Sequence, residues 1–260
     1  MMLDKSKNVY QKLITDSNIG FFYTVFNEVE AVDFSIRNLK ENYPNSRIYL
    51  VSDGGIDFSY LKSKYANLET SLEQDTMSKT FEINKNNFQA LEYHLTTEVC
   101  VKTLLNRLTK AIEFLDTEYV VMLDPDALIR GKLSIPYGSK LLGSRINRGF
   151  PRNFRKIMRN FPGGISINHW GATPAIFEVK TFLRAKDNLL ENWHVFDELS
   201  RHFYALYAHD VILPVIFGLI GIREEFNPDI TECLRDKNWK FNKKPLVHQF
   251  RDYYPKKHKS

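Results

Sequence analysis

The chain has little cysteine, with Cys100 and Cys233 the only two among 260 residues, far apart and without metal-ligand spacing. That excludes a disulfide scaffold and points to a reducing compartment. Cys100 falls in a helix-like pattern and reads as a small core residue. Long apolar runs are also missing. The longest, Val211 to Ile222, is interrupted by Pro214 and is too short to span a bilayer. Met1 to Asn18 is polar and charged and does not read as a signal peptide. A soluble, cytoplasmic protein is expected. No internal repeat is visible, and no linker is clear enough to split the chain, so residues 1–260 are expected to form one domain.

What is present is apolar and aromatic: 43% of residues are hydrophobic and 13% aromatic, enough to bury a large core in one domain or two closely merged lobes. The formal net charge of +5 suits an anionic ligand, whether nucleotide, membrane surface or nucleic acid, without choosing among them. Much of the positive charge lies in Arg145 to Asn160, with Arg145, Arg148, Arg152, Arg155, Lys156 and Arg159. Phe150 and Phe154 are its only aromatics, a thin basis for stacking nucleic-acid bases, so no nucleic acid is expected. The stretch suits a peripheral contact with an anionic membrane or acceptor, or a solvated face.

Periodicity sets the architecture. Ile19 to Phe26 reads as a strand, and Glu30 to Asn42 as a helix with Val32, Ile36, Leu39 and Tyr43 at helical spacing. Pro44-Asn45 breaks it. Arg47 to Val51 is a second strand ending in the turn Asp53-Gly54-Gly55, which makes a β-α-β unit with parallel, neighbouring strands. A short strand is predicted near Leu68 to Leu72. Val101, Leu104, Leu105, Leu108, Ile112 and Leu115 define one face of a helix, and the strand Tyr119 to Leu123 follows. The alternation predicts an α/β sandwich on a mostly parallel sheet. In the second half, strands are predicted at Lys140 to Ser144 and Thr173 to Val179, and helices at Trp193 to Tyr207 and Asp210 to Leu219. Lys256 to Ser260 is a polar, basic tail set off by Pro255.

The richest chemistry lies in Asp124-Pro125-Asp126, directly after the buried strand Tyr119 to Leu123. Open α/β sheets bind ligands at the carboxyl ends of their strands. Side chains at i and i+2 of a strand point the same way, so Asp124 and Asp126 could converge on one cation, although Pro125 ends the regular strand. Two facing carboxylates repel unless something positive lies between them, and a divalent metal carrying a diphosphate meets that need. The alternative is ordinary loop punctuation. Three further segments fall at strand mouths: Thr24-Val25-Phe26-Asn27-Glu28, Ser52-Asp53-Gly54-Gly55, and Leu246-Val247-His248-Gln249-Phe250.

The order of these segments resembles the GT-A class of nucleotide-sugar glycosyltransferases. The opening is similar to the large inverting family that includes cellulose, chitin and hyaluronan synthases. In that family the first strand ends in a Thr-x-Tyr-Asn-Glu type motif, a helix ends at Tyr-Pro, and the second strand ends in Asp-Asp-Gly-Ser. Here those positions read Thr24 to Glu28, Tyr43-Pro44 and Ser52 to Gly55. The match covers the first half up to Asp126; the second half is similar to other GT-A families as much as to this one.

The resemblance implies a Rossmann-like α/β/α sandwich, with about 18–126 binding a nucleotide sugar and about 127–250 the acceptor. It places Thr24, Phe26 and Asn27 beside the donor, Phe26 offering the base a flat apolar face where the family more often has Tyr. Asp53 would accept a base N–H, which uracil and guanine both present. Lys102, on the helix before Asp124, would touch the donor, or is a solvated residue. Trp170 and Gly171 would border the donor sugar, by ring stacking and close backbone approach, or belong to the core. Asp210, in Ala208-His209-Asp210-Val211, would be the catalytic base, although His209 stands where the family often has Glu. As a helix cap it would be purely structural. Asp124, Asp126 and His248 would hold manganese or magnesium, the imidazole favouring manganese. The implied reaction moves a sugar from a nucleotide diphosphate, with a UDP-sugar favoured, to a hydroxyl of a glycan or other acceptor, with inversion. The alternatives are a sugar-phosphate nucleotidyltransferase and a catalytically inactive nucleotide- or glycan-binding protein. Against the first, Asn27-Glu28-Val29-Glu30 is not a Gly-rich, basic phosphate loop.

Overall fold

Runs such as Phe21-Phe22-Tyr23 and Val120-Val121-Met122 have no polar side to turn toward water, so they belong in a sheet covered on both faces. The computed structural model places them there, and it describes residues 11–73, 97–143, 174–194, 197, 209–230 and 243–247. In chain order the elements are β1 (Gln11–Leu13), β2 (Ile19–Val25), α1 (Val29–Asn42), β3 (Ile48–Asp53), α2 (Leu61–Lys64) and β4 (Leu68–Glu73). Then come α3 (Thr97–Leu115), β5 (Tyr119–Leu123), β6 (Leu128–Ile129), β7 (Ser134–Pro136), β8 (Leu141–Gly143) and β9 (Ala175–Glu178). The last are α4 (Val179–Glu191), α5 (His209–Leu219), β10 (Glu225–Phe226) and β11 (Leu246–Val247).

The main sheet has seven strands in the order β10-β8-β9-β5-β2-β3-β4. β2 pairs in parallel with both β3 and β5, and β3 with β4. Among the described strands of this sheet, β9 runs antiparallel to its neighbours β5 and β8. Alternation then sorts the core into two layers. Phe22, Val51, Val120, Met122, Leu141 and Phe177 lie in the core with α3, α4 and α5. Phe21, Tyr23, Leu50, Val121, Leu123 and Ile176 lie in the core with α1 and α2. Each large side chain so enclosed contributes roughly 1.5–3 kcal/mol relative to exposure.

α1 buries Ala31, Val32, Ser35, Ile36 and Leu39, the stripe its sequence spacing predicts. It stops before Pro44, with the Tyr43 N–H closing onto the Leu39 carbonyl at 2.8 Å. The buried Tyr43 hydroxyl accepts the Leu133 N–H at 2.6 Å, so the end of this helix also fixes the chain beyond β6.

The second half departs from its predicted elements. The strand expected over Thr173 to Val179 is the shorter β9, and the chain turns into α4 at Val179. α4 buries Thr181, Phe182, Ala185 and Leu189, a helical stripe hidden in sequence by β-branched residues at its start. Most of the helix expected at Trp193 to Tyr207 lies outside the described residues. Two small antiparallel ladders, β1 with β7 and β11 with β6, were not anticipated.

Candidate active site

Parallel pairing of β5, β2 and β3 brings three strand mouths to one edge of the sheet. Tyr23 is in register with Leu123, and Val25 with Ser52, so Thr24 comes level with Asp124, and Phe26 with Asp53, the last residue of β3. Thr24 and Phe26 are half-buried there and Asn27 is exposed.

The loop after β3 is locked to the loop after β2. Gly54 has φ +69°, a conformation that L side chains rarely adopt. At Gly55 a Cβ would lie 1.6 Å from the Phe26 carbonyl oxygen, so only glycine lets the two backbones touch. The Ile56 N–H donates to that same oxygen at 3.1 Å, and the Ser52 hydroxyl donates to the Ile56 carbonyl at 2.5 Å.

Asp53 is 1% exposed, and its Oδ1 lies 2.8 Å from Nη1 of Arg107, which is 3% exposed. This buried pair joins α3 to the end of β3. Sequence reading missed Arg107. The signal was available: Leu104, Arg107, Leu108 and Ala111 share the apolar stripe of α3, and a guanidinium in a stripe requires an acid partner. Lys102, on the same helix, is the residue that the resemblance places beside the donor. It is exposed, with its ammonium 5.6 Å from the ring centre of Trp193, just beyond α4. α3 has 19 residues, about 28 Å at a helical rise. β5 has five residues, about 17 Å of strand. The helix therefore overhangs the site edge, and Lys102 lies in its overhanging part.

The carboxylate turn after β5 is held from beneath. The Ala127 N–H closes onto the Asp124 carbonyl at 3.0 Å. The buried Ser35 hydroxyl of α1 donates to the Ala127 carbonyl, and Tyr23 contacts the same Ser35 oxygen at 2.8 Å. Ser35 has one proton and has committed it, so Tyr23 donates to Ser35. Burial pushes the Tyr23 phenol well above its ordinary range, which keeps that donor protonated. Asp124 is half-buried and Asp126 is 4% exposed. Among the described residues no three His, Cys, Asp or Glu side chains group together as a metal site. The two carboxylates supply hard oxygen donors that fit magnesium or manganese, and a further ligand has to come from elsewhere.

The C-terminal ladder shows what reaches this turn. Leu246 is opposite Ile129 and Val247 opposite Leu128, two residues from Asp126. The Arg130 N–H donates to the Pro245 carbonyl at 2.6 Å, and Ala31, Leu128 and Val247 pack together. His248 lies outside the described residues, as do Trp170 and Gly171. Asp210 is the second residue of α5, with its side chain outside those described.

No protein-family model matches the chain, and no curated protein matches it. Solved structures do match in fold. A structure of an active-site mutant of LgtC aligns over 88% of this chain and 86% of that chain, with 14% identity and a TM-score of 0.50. A structure of the galactosyltransferase LgtC in complex with donor and acceptor sugar analogues aligns over 88% and 86%, with 13% identity and a TM-score of 0.42. The first likeness establishes the architecture: the chain has the GT-A fold.

Proposed function

We propose that this protein is a glycosyltransferase that moves a sugar from a nucleotide diphosphate donor, a UDP-sugar, to a hydroxyl acceptor. The observation that carries the reading is the convergence of Phe26, Asp53 and the Asp124-Pro125-Asp126 turn at one edge of a GT-A sheet, braced by Ser35 and Tyr23. Thr24, Phe26, Asn27 and Asp53 form the base side of the donor pocket, and Lys102, Trp170 and Gly171 its sugar and diphosphate side. Residues of about 18–126 bind the donor and those of about 127–250 the acceptor.

Asp124 and Asp126 would hold a divalent cation, with His248 as the remote ligand. The antiparallel ladder ending at Val247 supports that assignment, since it leads the chain toward Asp126. When bound, the ion neutralises charge on the diphosphate leaving group. In the transfer, the acceptor oxygen bonds to the anomeric carbon, the bond to the diphosphate oxygen breaks, and the diphosphate leaves with the electron pair. Asp210 takes the acceptor's proton, and the anomeric centre inverts.

Calorimetry of UDP binding with and without manganese, on the wild type, Asp126→Ala and His248→Ala, tests the donor site. The expected result is metal-dependent binding that is lost in Asp126→Ala and needs more manganese in His248→Ala. Equal affinity under all conditions overturns the metal reading. A screen of nucleotide sugars for slow donor hydrolysis then identifies base and sugar. UDP binding without any turnover would identify a nucleotide- or glycan-binding protein instead. Product NMR fixes the stereochemistry, and retention, or wild-type turnover in Asp210→Asn, removes Asp210 from the base role.

A further inference from the structure

Glu224 directly precedes β10, which pairs in parallel with β8. Both of its carboxyl oxygens are buried, and neither has a hydrogen-bond partner among the described residues. The carboxyl lies against the bare Cα of Gly143, the last residue of β8. A Cβ built at position 143 would fall 1.7 Å from Glu224 Oε1 and 2.7 Å from its Cδ. The acid therefore fills the space that a side chain at residue 143 would take. Leu141 lies in the core with α3, α4 and α5, and Leu142 in the opposite core, so by alternation position 143 faces the first. Gly143 is in register with Ala175, and Ala175 with Met122, so the carboxyl lies two residues short of Asp124 along the sheet.

Among the described residues, the charged groups around it are engaged elsewhere or exposed. β8 has none between Leu141 and Gly143, and Lys140 before it is bonded to Glu178. Glu225 accepts the Ser139 hydroxyl at 2.7 Å, and Arg223 is exposed. On the helix layer, the titratable residues of α5 are His209 and Asp210 at its start. On α4, Lys180, Arg184, Lys186, Asp187 and Glu191 lie off the buried stripe. On α3, Arg107 is paired with Asp53, and Lys102, Lys110 and Glu113 are exposed. Burial, with no neighbouring charge contributing, pushes the Glu224 carboxyl up to about 8.

We propose that Glu224 is a proton-controlled latch on the β8–β10 edge: the uncharged acid seats beside Gly143, and the carboxylate leaves that seat. Both oxygens are buried there and no described residue donates to them, so ionisation favours any conformation that returns the carboxyl to solvent. The folded acid holds its proton more tightly than the unfolded one, whose ordinary value is about 4.3. Stability from this site is therefore fully present below the unfolded value. It declines as pH rises toward 8 and is flat above that.

The test is the folding equilibrium constant of the full chain in urea between pH 5 and 8.5, for the wild type, Glu224→Gln and Gly143→Ala. Relative to Glu224→Gln, the wild-type constant should fall about a hundredfold between pH 5 and pH 7. Gly143→Ala keeps the acid but fills its seat, so it should lose the same excess pH dependence. Parallel curves for the wild type and Glu224→Gln overturn the latch. So does a wild-type slope in Gly143→Ala, since the seat would then lie elsewhere. If a variant fails to fold, side-chain carboxyl NMR of the wild type decides. A Glu224 resonance titrating near pH 8 supports the proposal, and one near pH 4 overturns it. None of these readouts depends on sugar transfer.

Discussion

Replacing Arg107 with Met removes the cation from a pair whose members are 3% and 1% exposed and 2.8 Å apart. Breaking a buried pair from one side costs about 3–5 kcal/mol, because the remaining charge keeps its desolvation penalty without its main compensation. A domain of this size loses about 2–4 °C of Tm per kcal/mol, so Arg107→Met should melt about 6–20 °C below the wild type. Asp53→Asn/Arg107→Met removes both charges and should recover most of that loss. Arg107→Lys keeps the charge but not the planar fork and should fall between. The assay is thermal unfolding followed by circular dichroism for Arg107→Met, Asp53→Asn and the double variant, read as a cycle. High salt should change the coupling little, since buried pairs are poorly screened. UDP calorimetry on the same set separates structure from binding. If Asp53 also accepts the base N–H, Asp53→Asn/Arg107→Met binds UDP weakly even where its Tm has recovered. A Tm change under about 2 °C in Arg107→Met would refute the pairing argument. So would a double variant whose loss equals the sum of the singles.

Two further variants probe how the site is held. Gly55→Ala puts a methyl 1.6 Å from the Phe26 carbonyl oxygen; relief by backbone movement should cost about 1–3 kcal/mol and weaken UDP binding, and wild-type melting and affinity would show that the loops do not touch. Tyr23→Phe removes the donor to Ser35, which carries the Asp124-Pro125-Asp126 turn through Ala127; a loss of about 1 kcal/mol in urea titration with reduced manganese-dependent UDP affinity is expected, and unchanged affinity would mean that the turn holds without this brace.

The central sheet was readable because its strands are buried on both faces. Ile19–Val25 and Tyr119–Leu123 are short, predominantly apolar and rich in β-branched and aromatic residues, and that pattern admits few other structures at those lengths. The edges were harder to read for a physical reason. β6, β10 and β11 have two residues each, too short for alternation to register, and their pairing is decided by partners distant in sequence. No element was expected over Lys180 to Glu191: the strand expected to Val179 ends at Glu178, and Phe182, Ala185 and Leu189 form a helical stripe that a β-branched start conceals.

The site residues divide along the same line. Asp53, Asp124 and Asp126 stand at strand ends, where the strand pattern itself fixes the position of the next residue. Arg107 stands inside a helix, where the six apolar residues that define the face drew attention away from a cation among them. Lys102 enters through the resemblance, and its exposure places no demand on the fold. A buried guanidinium does make that demand, since without an acid it would not remain in the stripe. Had Arg107 been read as an anomaly of burial, its partner would have been narrowed to a carboxylate on a strand beneath α3. Asp53, at the mouth of β3, meets that condition, so the same rule that finds the ion pair also draws α3 over the candidate donor site. Ser35 is the parallel case on the opposite face: a hydroxyl on the apolar stripe of α1 requires a partner, and it finds one in the turn that carries the two carboxylates. The polar residues within apolar stripes thus locate the site from both faces of the sheet.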